Sequence, residues 1–248
     1  KTEETGYVRR QDGWPRVEKK LETKMKPLNQ KNYGSIPHLS NSKLGTGDYF
    51  IHEGQEKILT EKKRDKHDNI LVFEKYDGSN VGICRVDNNI YALTRSGYLA
   101  NTSPYKQHHI FSDWVEKNKL SFIDILSSGE RIVGEWMLQA HGLKYTITAN
   151  EPIVFFDLFR VNNKRILQKE LNDLLYNKPF LTPRKLHEGE PVKVEKLISI
   201  LNQKTRQIES DELPEGLIYR VERKDQVDFL AKWVRKDFST GQYIQGED

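Results

Sequence analysis

From residue 70 the apolar positions fall into short runs separated by turn formers: ILVFE, then YDGS, NVGICRV, DNN and IYALTR. Short runs rich in Val, Ile, Tyr and Phe, bounded by Gly, Asp and Asn, are strand signals, and this succession predicts an antiparallel meander. Lys75 ends its first strand. A different period appears in KQHHIFSDWVEKNK, residues 106–119, where Ile110, Phe111, Trp114 and Val115 share one helical face. Over residues 191–208, Val194, Leu197, Ile198 and Leu201 do the same, and Pro191 suits a first helical turn. More short strands follow in RIVGEWML, PIVFFDLF, EGLIYRVE and DFLAKWV. The pattern predicts an α+β domain, mainly antiparallel sheet with helices packed on it.

Residues 1–50 lack either period and are rich in turn formers, as in YGSIPHLSNSKLGTGD, so they are expected to form an irregular arm on a main domain of residues 51–248. No repeat, low-complexity tract or Gly/Ser linker divides the chain. With 31% charged residues and no apolar run near the roughly 20 residues of a membrane span, a membrane role is not expected. The single cysteine, Cys84, cannot close an internal disulfide, and no signal peptide opens the chain, so a cytoplasmic protein with a reduced thiol is expected. The net charge of +4 is too balanced to argue for nucleic acid by itself. Basic clusters at Lys62, Lys63, Arg64 and Lys66, and at Arg16, Lys19, Lys20, Lys24 and Lys26, read as solvated faces or as surfaces that track phosphate.

Several common chemistries have no sequence here: GxxxxGK[ST], GxGxxG and GxSxG are all absent. His108, His109 and His141 show no zinc spacing and read as structural or surface residues. What remains is KYDG at 75–78. A lysine is a nucleophile only when its amine is neutral, through desolvation or neighbouring positive charge. The strand aims Lys75, Gly78 allows a tight turn, and Asp77 can bond backbone amides of that turn. Taken alone, the same four residues equally describe a surface hairpin.

Further motifs follow in order. Arg95-Ser-Gly97, Val133-Gly-Glu135-Trp, Phe155-Phe-Asp157, Glu215-Gly-Leu-Ile218 and Leu230-Ala-Lys232-Trp, together with KYDG, resemble the successive motifs of the covalent nucleotidyltransferases, the superfamily of ATP-dependent DNA and RNA ligases and mRNA capping enzymes. The resemblance spans residues 71–236. It implies a nucleotidyltransferase (ATP-grasp-like ligase) fold in which Lys75 attacks the α-phosphorus of ATP, expels pyrophosphate and carries AMP as a phosphoramidate. It places Arg95 near the nucleotide sugar and phosphate, Lys232 on the α-phosphate, and Glu135 on a ribose hydroxyl. Phe156, or else Phe155, stacks on adenine, and Leu217 or Ile218 closes the other face. Glu74 reaches the base edge. Glu215 orients the amine or a metal-bound water, with Mg2+ or Mn2+ held mainly by ATP oxygens and water.

Within the superfamily, DNA ligases and capping enzymes usually carry an arginine two positions after the glycine, where this chain has Asn80. KxxGxN, the upstream YGSIPHL, and GEWM followed by His141 and Tyr145 resemble bacterial and phage RNA ligase domains. Asn80 is then expected to contact the RNA 5′-phosphate or sugar. Leu230 replaces the first lysine of the usual KxK, so Arg235, Lys236 or Lys62 is expected to supply that charge. With few residues after Lys236, no C-terminal OB barrel is expected. The expectation is an ATP-dependent RNA ligase acting on RNA with 5′-phosphate and 3′-OH ends. The alternatives are the catalytic domain of a DNA ligase or capping guanylyltransferase, or an inactive RNA-end-binding module.

Overall fold

The structure is a computed structural model that describes residues 25–138, 141–147, 152–203, 208, 210–239 and 241. The basic positions Arg16, Lys19, Lys20 and Lys24, and with them the first half of the expected arm, lie outside the described residues, as does most of 203–208 at the end of the expected second helix. The strands are β1 (Asp68–Lys75), β2 (Ser79–Val86), β3 (Asn89–Thr94), β4 (Arg131–Trp136), β5 (Ile153–Phe159), β6 (Lys185–Gly189), β7 (Gly216–Arg223) and β8 (Gln226–Val234). They build two four-stranded antiparallel sheets, ordered β6-β1-β7-β8 and β3-β2-β4-β5. The α-helices are α1 (Glu53–Thr60), α2 (Lys106–Lys117), α3 (Lys119–Ile125), α4 (Gln168–Leu175) and α5 (Val194–Leu201). None of the described helices is long and apolar enough to cross a membrane.

Strands β1, β2, β4, β5, β7 and β8 show their two faces to different surroundings. In the first sheet Ile70, Val72, Leu217, Tyr219, Ala231 and Trp233 pack with Leu59 of α1 and Leu197 and Leu201 of α5. Their neighbours Phe73, Lys75, Ile218, Arg220, Leu230 and Lys232 point the other way, into a cavity. In the second sheet Val81, Ile83, Ile132, Trp136, Ile153 and Phe155 pack with Phe111 of α2 and Phe122 of α3, while Asn80, Glu135, Val154 and Phe156 line the same cavity. The period of two along a strand therefore sorts helix-facing core from cleft.

Only the second half of the expected meander is formed, where β2 and β3 pair antiparallel. β1 pairs with β6 and β7, whereas β2 pairs with β3 and β4, so residues 76–78 carry the chain from one sheet to the other. A two-residue hairpin needs positive φ in its turn, and neither Asp77 nor Gly78 has it. Gly78 is required for space instead: a Cβ there would lie 2.5 Å from the Trp136 carbonyl oxygen.

The helices depart from expectation in detail. Phe111 and Val115 are buried and Trp114 partly so, but Ile110 is 43% exposed, and the helix breaks at Asn118, whose side-chain amide donates to the Trp114 carbonyl. Helix α5 starts at Val194 rather than Pro191, because the Val192 N–H donates to the Leu59 carbonyl of α1 and holds the approach extended. Helices α1 and α4 and strand β6 had no sequence counterpart in the apolar pattern. Along the edge of β8, the Lys232 N–H donates to the Pro37 carbonyl and the Leu39 N–H to the Lys232 carbonyl, and Leu39 is buried in the first core.

Gly78→Ala should lose roughly 1–3 kcal/mol of stability through overlap with backbone, read as a lower urea midpoint at unchanged m. Gly34→Ala, with nothing within 4 Å of its Cβ, should stay within about 0.5 kcal/mol of wild type.

Candidate functional site

The cavity between the sheets measures about 200 Å3, and a wider one of about 620 Å3 adjoins it through the shared residues Asn80, Arg95 and Glu135. Lys75 closes β1 at the mouth of the first. Its Nζ lies 2.5 Å from Glu215 Oε2, on the residue that precedes β7. Burial lowers the proton affinity of this ammonium, but the carboxylates of Glu215, Glu135 and Asp77 outweigh burial and raise it overall. The lysine is therefore protonated at rest, contrary to the neutral amine the sequence led us to expect. Glu215 is shifted up as well, by burial and by Asp77, against the pull of Lys75.

Glu135, on β4, accepts the Gly78 N–H at 3.2 Å. Burial first, then Glu215 and Asp77, push its carboxyl up to about 7, and Lys75 and the Gly78 amide oppose the rise. Asp77 does not bond within its own turn. Its Oδ2 accepts the amides of Gly142 at 2.5 Å and Leu143 at 3.1 Å, while its N–H donates to the Tyr145 hydroxyl. His141 Nε2 lies 2.9 Å from Ser79 Oγ. His141 and Tyr145, distant in sequence, thus meet the crossing between the sheets.

Of the two candidate rings, Phe155 is wholly buried on the helix side, and Phe156 lines the cavity with its edge against Tyr33, centroids 5.2 Å apart. The register explains why. Val133 pairs with Asp157 and Gly134 with Phe155, which leaves Phe156 as the extra residue of a bulge, so Phe156 and Asp157 both face the cleft. Ile218 lines the cavity and Leu217 belongs to the core, which resolves that pair too. Glu74 lies at the cavity wall, fully buried, and its carboxylate pairs with Arg184 Nε at 3.0 Å. Arg95 lines both cavities and reaches Ser35 Oγ at 3.3 Å. Asn80 lines both as well, and its Oδ1 is buried with no donor among the described residues.

Lys232 lines the cavity from β8, its Nζ 3.2 Å from Asp48 Oδ1; burial and Lys75 lower its proton affinity. Leu230 takes the place of the first KxK lysine and lines the cavity too. Of the proposed substitutes, Arg235 turns to the Pro214 carbonyl and Asn202, and neither Lys62 nor Lys236 lines the cavity. The sequence also missed a wall built from Tyr33, Asp157 and Arg220. Asp157 accepts Tyr33 Oη at 2.6 Å, Arg220 Nη1 at 2.6 Å, and lies 2.8 Å from Arg165 Nε. Asp157 stood in the quoted FFD motif without a role. Tyr33, Ile36 and Asp48 come from a segment in which no period marks the inward residues.

Among the described residues no three His, Cys, Asp or Glu side chains gather as a metal site. Glu215 and Glu135 are the carboxylates that act most strongly on the Lys75 amine, and Glu215 raises the proton affinity of Glu135.

Two structures of an archaeal ATP-dependent RNA ligase are similar to this chain, with TM-scores of 0.53 and 0.52, each at 16% identity and each covering 82% of this chain and 48% of theirs. The chain thus spans about half the length of those proteins. A Naegleria gruberi RNA ligase variant with ATP and Mn gives a TM-score of 0.48 at 16% identity, covering 81% of this chain and 61% of its own. Among curated protein sequences nothing matches. The RNA ligase family model matches residues 68–234, from the first residue of β1 to the last of β8 and through every cavity-lining strand residue described above. The chain belongs to the RNA ligase family.

Proposed function

We propose that this chain is the adenylylating domain of an ATP-dependent RNA ligase. The observation that carries the reading is a part-buried lysine amine, 2.5 Å from a carboxylate, at the mouth of a cavity that Arg95, Lys232, Phe156 and Glu135 also line. In this reading Lys75 Nζ attacks the α-phosphorus of ATP, the bond to the β-phosphate oxygen breaks, and pyrophosphate leaves. The proton goes to Glu215, whose raised proton affinity suits a base that must take it from an ammonium. Lys232 and Arg95 face the phosphates, Glu135 accepts a ribose hydroxyl, and the base lies between Phe156 and Ile218. Glu74, fixed by Arg184, stands at the base edge.

Magnesium or manganese fits beside Glu215, since a hard cation relieves two carboxylates that repel each other, and its chemistry would be to draw charge from the phosphate oxygens. The second cavity takes the RNA end. Its lining includes Ser79, Ser103, Gln107, His108 and His141, and burial lowers the proton affinity of both imidazoles, so they act as neutral partners for sugar hydroxyls. Asn80, shared by both cavities and with Oδ1 unpartnered, stands where the 5′-phosphate strand meets AMP. AMP passes to that 5′-phosphate, and a 3′-OH then displaces it. We divide the chain into an arm before residue 51, which contributes Tyr33 and Ile36 to the cavity, and the catalytic domain after it. A cytoplasmic setting agrees with the lone, buried, unpaired thiol of Cys84.

Incubation with labelled ATP and a divalent metal should leave a covalent label that survives denaturing electrophoresis and is absent in Lys75→Ala. An unlabelled wild type would sink the enzyme reading and leave an RNA-end-binding module; label from GTP alone would point to capping. Given 5′-phosphorylated strands, the labelled protein should seal RNA, and a preference for nicked DNA would overturn the choice of substrate.

Glu135 makes a separate prediction. Its folded-state value of about 7 lies above the ordinary 4.5, so the folded protein holds this proton more tightly and loses stability as pH rises from about 4.5 to about 7. Glu135→Gln should match wild type in urea midpoint near pH 4.5 and exceed it increasingly up to about pH 7. A constant difference across that range would refute the shift.

A further inference from the structure

Lys232 is held by something the family resemblance did not include. Its Nζ lies 3.2 Å from Asp48 Oδ1. The other oxygen, Asp48 Oδ2, accepts the Gly45 N–H at 2.9 Å and lies 3.0 Å from His38 Nε2. His38 Nδ1 is in turn 2.6 Å from Ser42 Oγ, and that oxygen accepts the Val234 N–H at 2.8 Å. Both ends of the series return to β8. Ser42 is bonded to Val234 and Asp48 to Lys232, while the Lys232 N–H and carbonyl are bonded to residues 37 and 39.

Ser42 Oγ accepts the Val234 amide and still has its own hydrogen to give to His38 Nδ1, the arrangement in which the imidazole presents an N–H rather than a lone pair to the Asp48 carboxylate 3.0 Å away. The single proton of a neutral imidazole then sits on Nε2 and faces Asp48. The side chain of His38 is 2% exposed, and burial, followed by Lys232, lowers its proton affinity, which agrees with the neutral ring. Asp48 Oδ2 is thereby occupied by two fixed, uncharged groups. Only Oδ1 is left for a cation. Of the three N–H bonds of the Lys232 ammonium, one goes to Oδ1 and two remain for the cavity.

We propose that Asp48 is a positioning residue for Lys232, fixed by His38 and Ser42, and that it keeps the ammonium charged and aimed at the nucleotide phosphate. The proposal rests on the reading of Lys232 as a phosphate-binding cation. An exposed lysine would need no such device. Here the side chain is 17% exposed and shares the cavity with the ammonium of Lys75, so burial and like charge both favour its neutral form. The groups facing it are Lys75 at the end of β1, Glu215 before β7, and Asp48 and His38 of the N-terminal segment. Of the two carboxylates, only Asp48 is in contact with Lys232, since Glu215 is committed to Lys75.

The test is the pH dependence of labelling from ATP. Asp48→Asn keeps the shape and the hydrogen bonds from Gly45 and His38 but removes the charge. The labelling rate should fall roughly 10- to 100-fold at neutral pH, the range for one lost charge-assisted hydrogen bond. Its alkaline limb should move to lower pH. Asp48→Asn combined with Lys232→Arg should recover the alkaline limb, because a guanidinium stays charged there. A slower Asp48→Asn with the wild-type profile would mean mere structural support and would overturn the proposal, as would an unchanged rate. Independently of turnover, the Lys232 amine followed by NMR in the nucleotide-free protein should titrate at lower pH in Asp48→Asn than in wild type. An identical titration would overturn the proposal even if no label formed. Absence of label on wild type, with the titration shifted, would remove the ligase reading and leave the Asp48 contact standing.

Discussion

Three residues carry the chain from the end of β1 in one sheet to the start of β2 in the other, and the site exists because that crossing is short. Three extended residues reach at most about 11 Å, so the two sheets must converge at this edge. Convergence puts the last side chain of one sheet, Lys75, beside the early residues of the next, Ser79 and Asn80. The crossing has no ladder hydrogen bonds of its own, and its polar groups are met from elsewhere. The Asp77 N–H goes to Tyr145, the Gly78 N–H to Glu135, and the Asp77 carboxylate takes the amides of Gly142 and Leu143. Hydrogen bonds to a charged acceptor contribute roughly 1.5–3 kcal/mol each. Asp77 therefore ties the segment after β4 to the crossing, and that segment in turn brings His141 to Ser79.

The same convergence creates the electrostatic problem of the site. Asp77, Glu135 and Glu215 act on one buried ammonium, with Lys232 farther off, and the negative groups prevail. A buried ion pair is retained only if both members stay partnered. Lys75 with Glu215 meets that condition in the free protein, at the cost of a charged and hence unreactive amine. In the proposed function a triphosphate would change the balance. It would bring negative charge of its own to Lys232 and Arg95 and a cation with it, and Glu215, released as counter-ion, would be the group that takes the proton.

The chemistry was more legible in the sequence than the topology. Lys75, Glu135 and Lys232 are polar residues within otherwise apolar strands and Glu215 directly precedes another, and the ordered motifs around them marked all four. What the pattern does not contain is which strand lies next to which. YDGS between two apolar runs has the composition of a hairpin, and only the backbone angles at residues 76–78 and the Trp136 carbonyl against Gly78 turn it into a change of sheet. The period of two says that one of Phe155 and Phe156 faces the cleft but not which, and the bulge that adds Asp157 to the same face breaks that period. Asp48 and Tyr33 were hidden for a different reason: an irregular segment has no period, so inward and outward positions look alike.

Leu230 has a consequence for how a nucleotide must lie. Across β1, β7 and β8 the cross-strand pairs run from Lys75 with Gly216, through Ile218 with Lys232, to Arg220 with Leu230. A lysine in place of Leu230 would add a cation at the far end of this series. As it is, that end holds Arg220, already bonded to Asp157 and the Ile166 carbonyl, and Asp157 is itself shared with Tyr33 and Arg165. Its charges are mutually satisfied, and Phe156, Ile218 and Leu230 add apolar surface. The cations with N–H bonds left for a ligand, Lys232 and Arg95, lie toward Lys75 and Asn80. A nucleotide entering this cavity meets neutral, aromatic surroundings at one end and uncompensated cations at the other. In the proposed function that gradient would place the base near Phe156 and the α-phosphate near Lys75, the orientation in which the lysine could act.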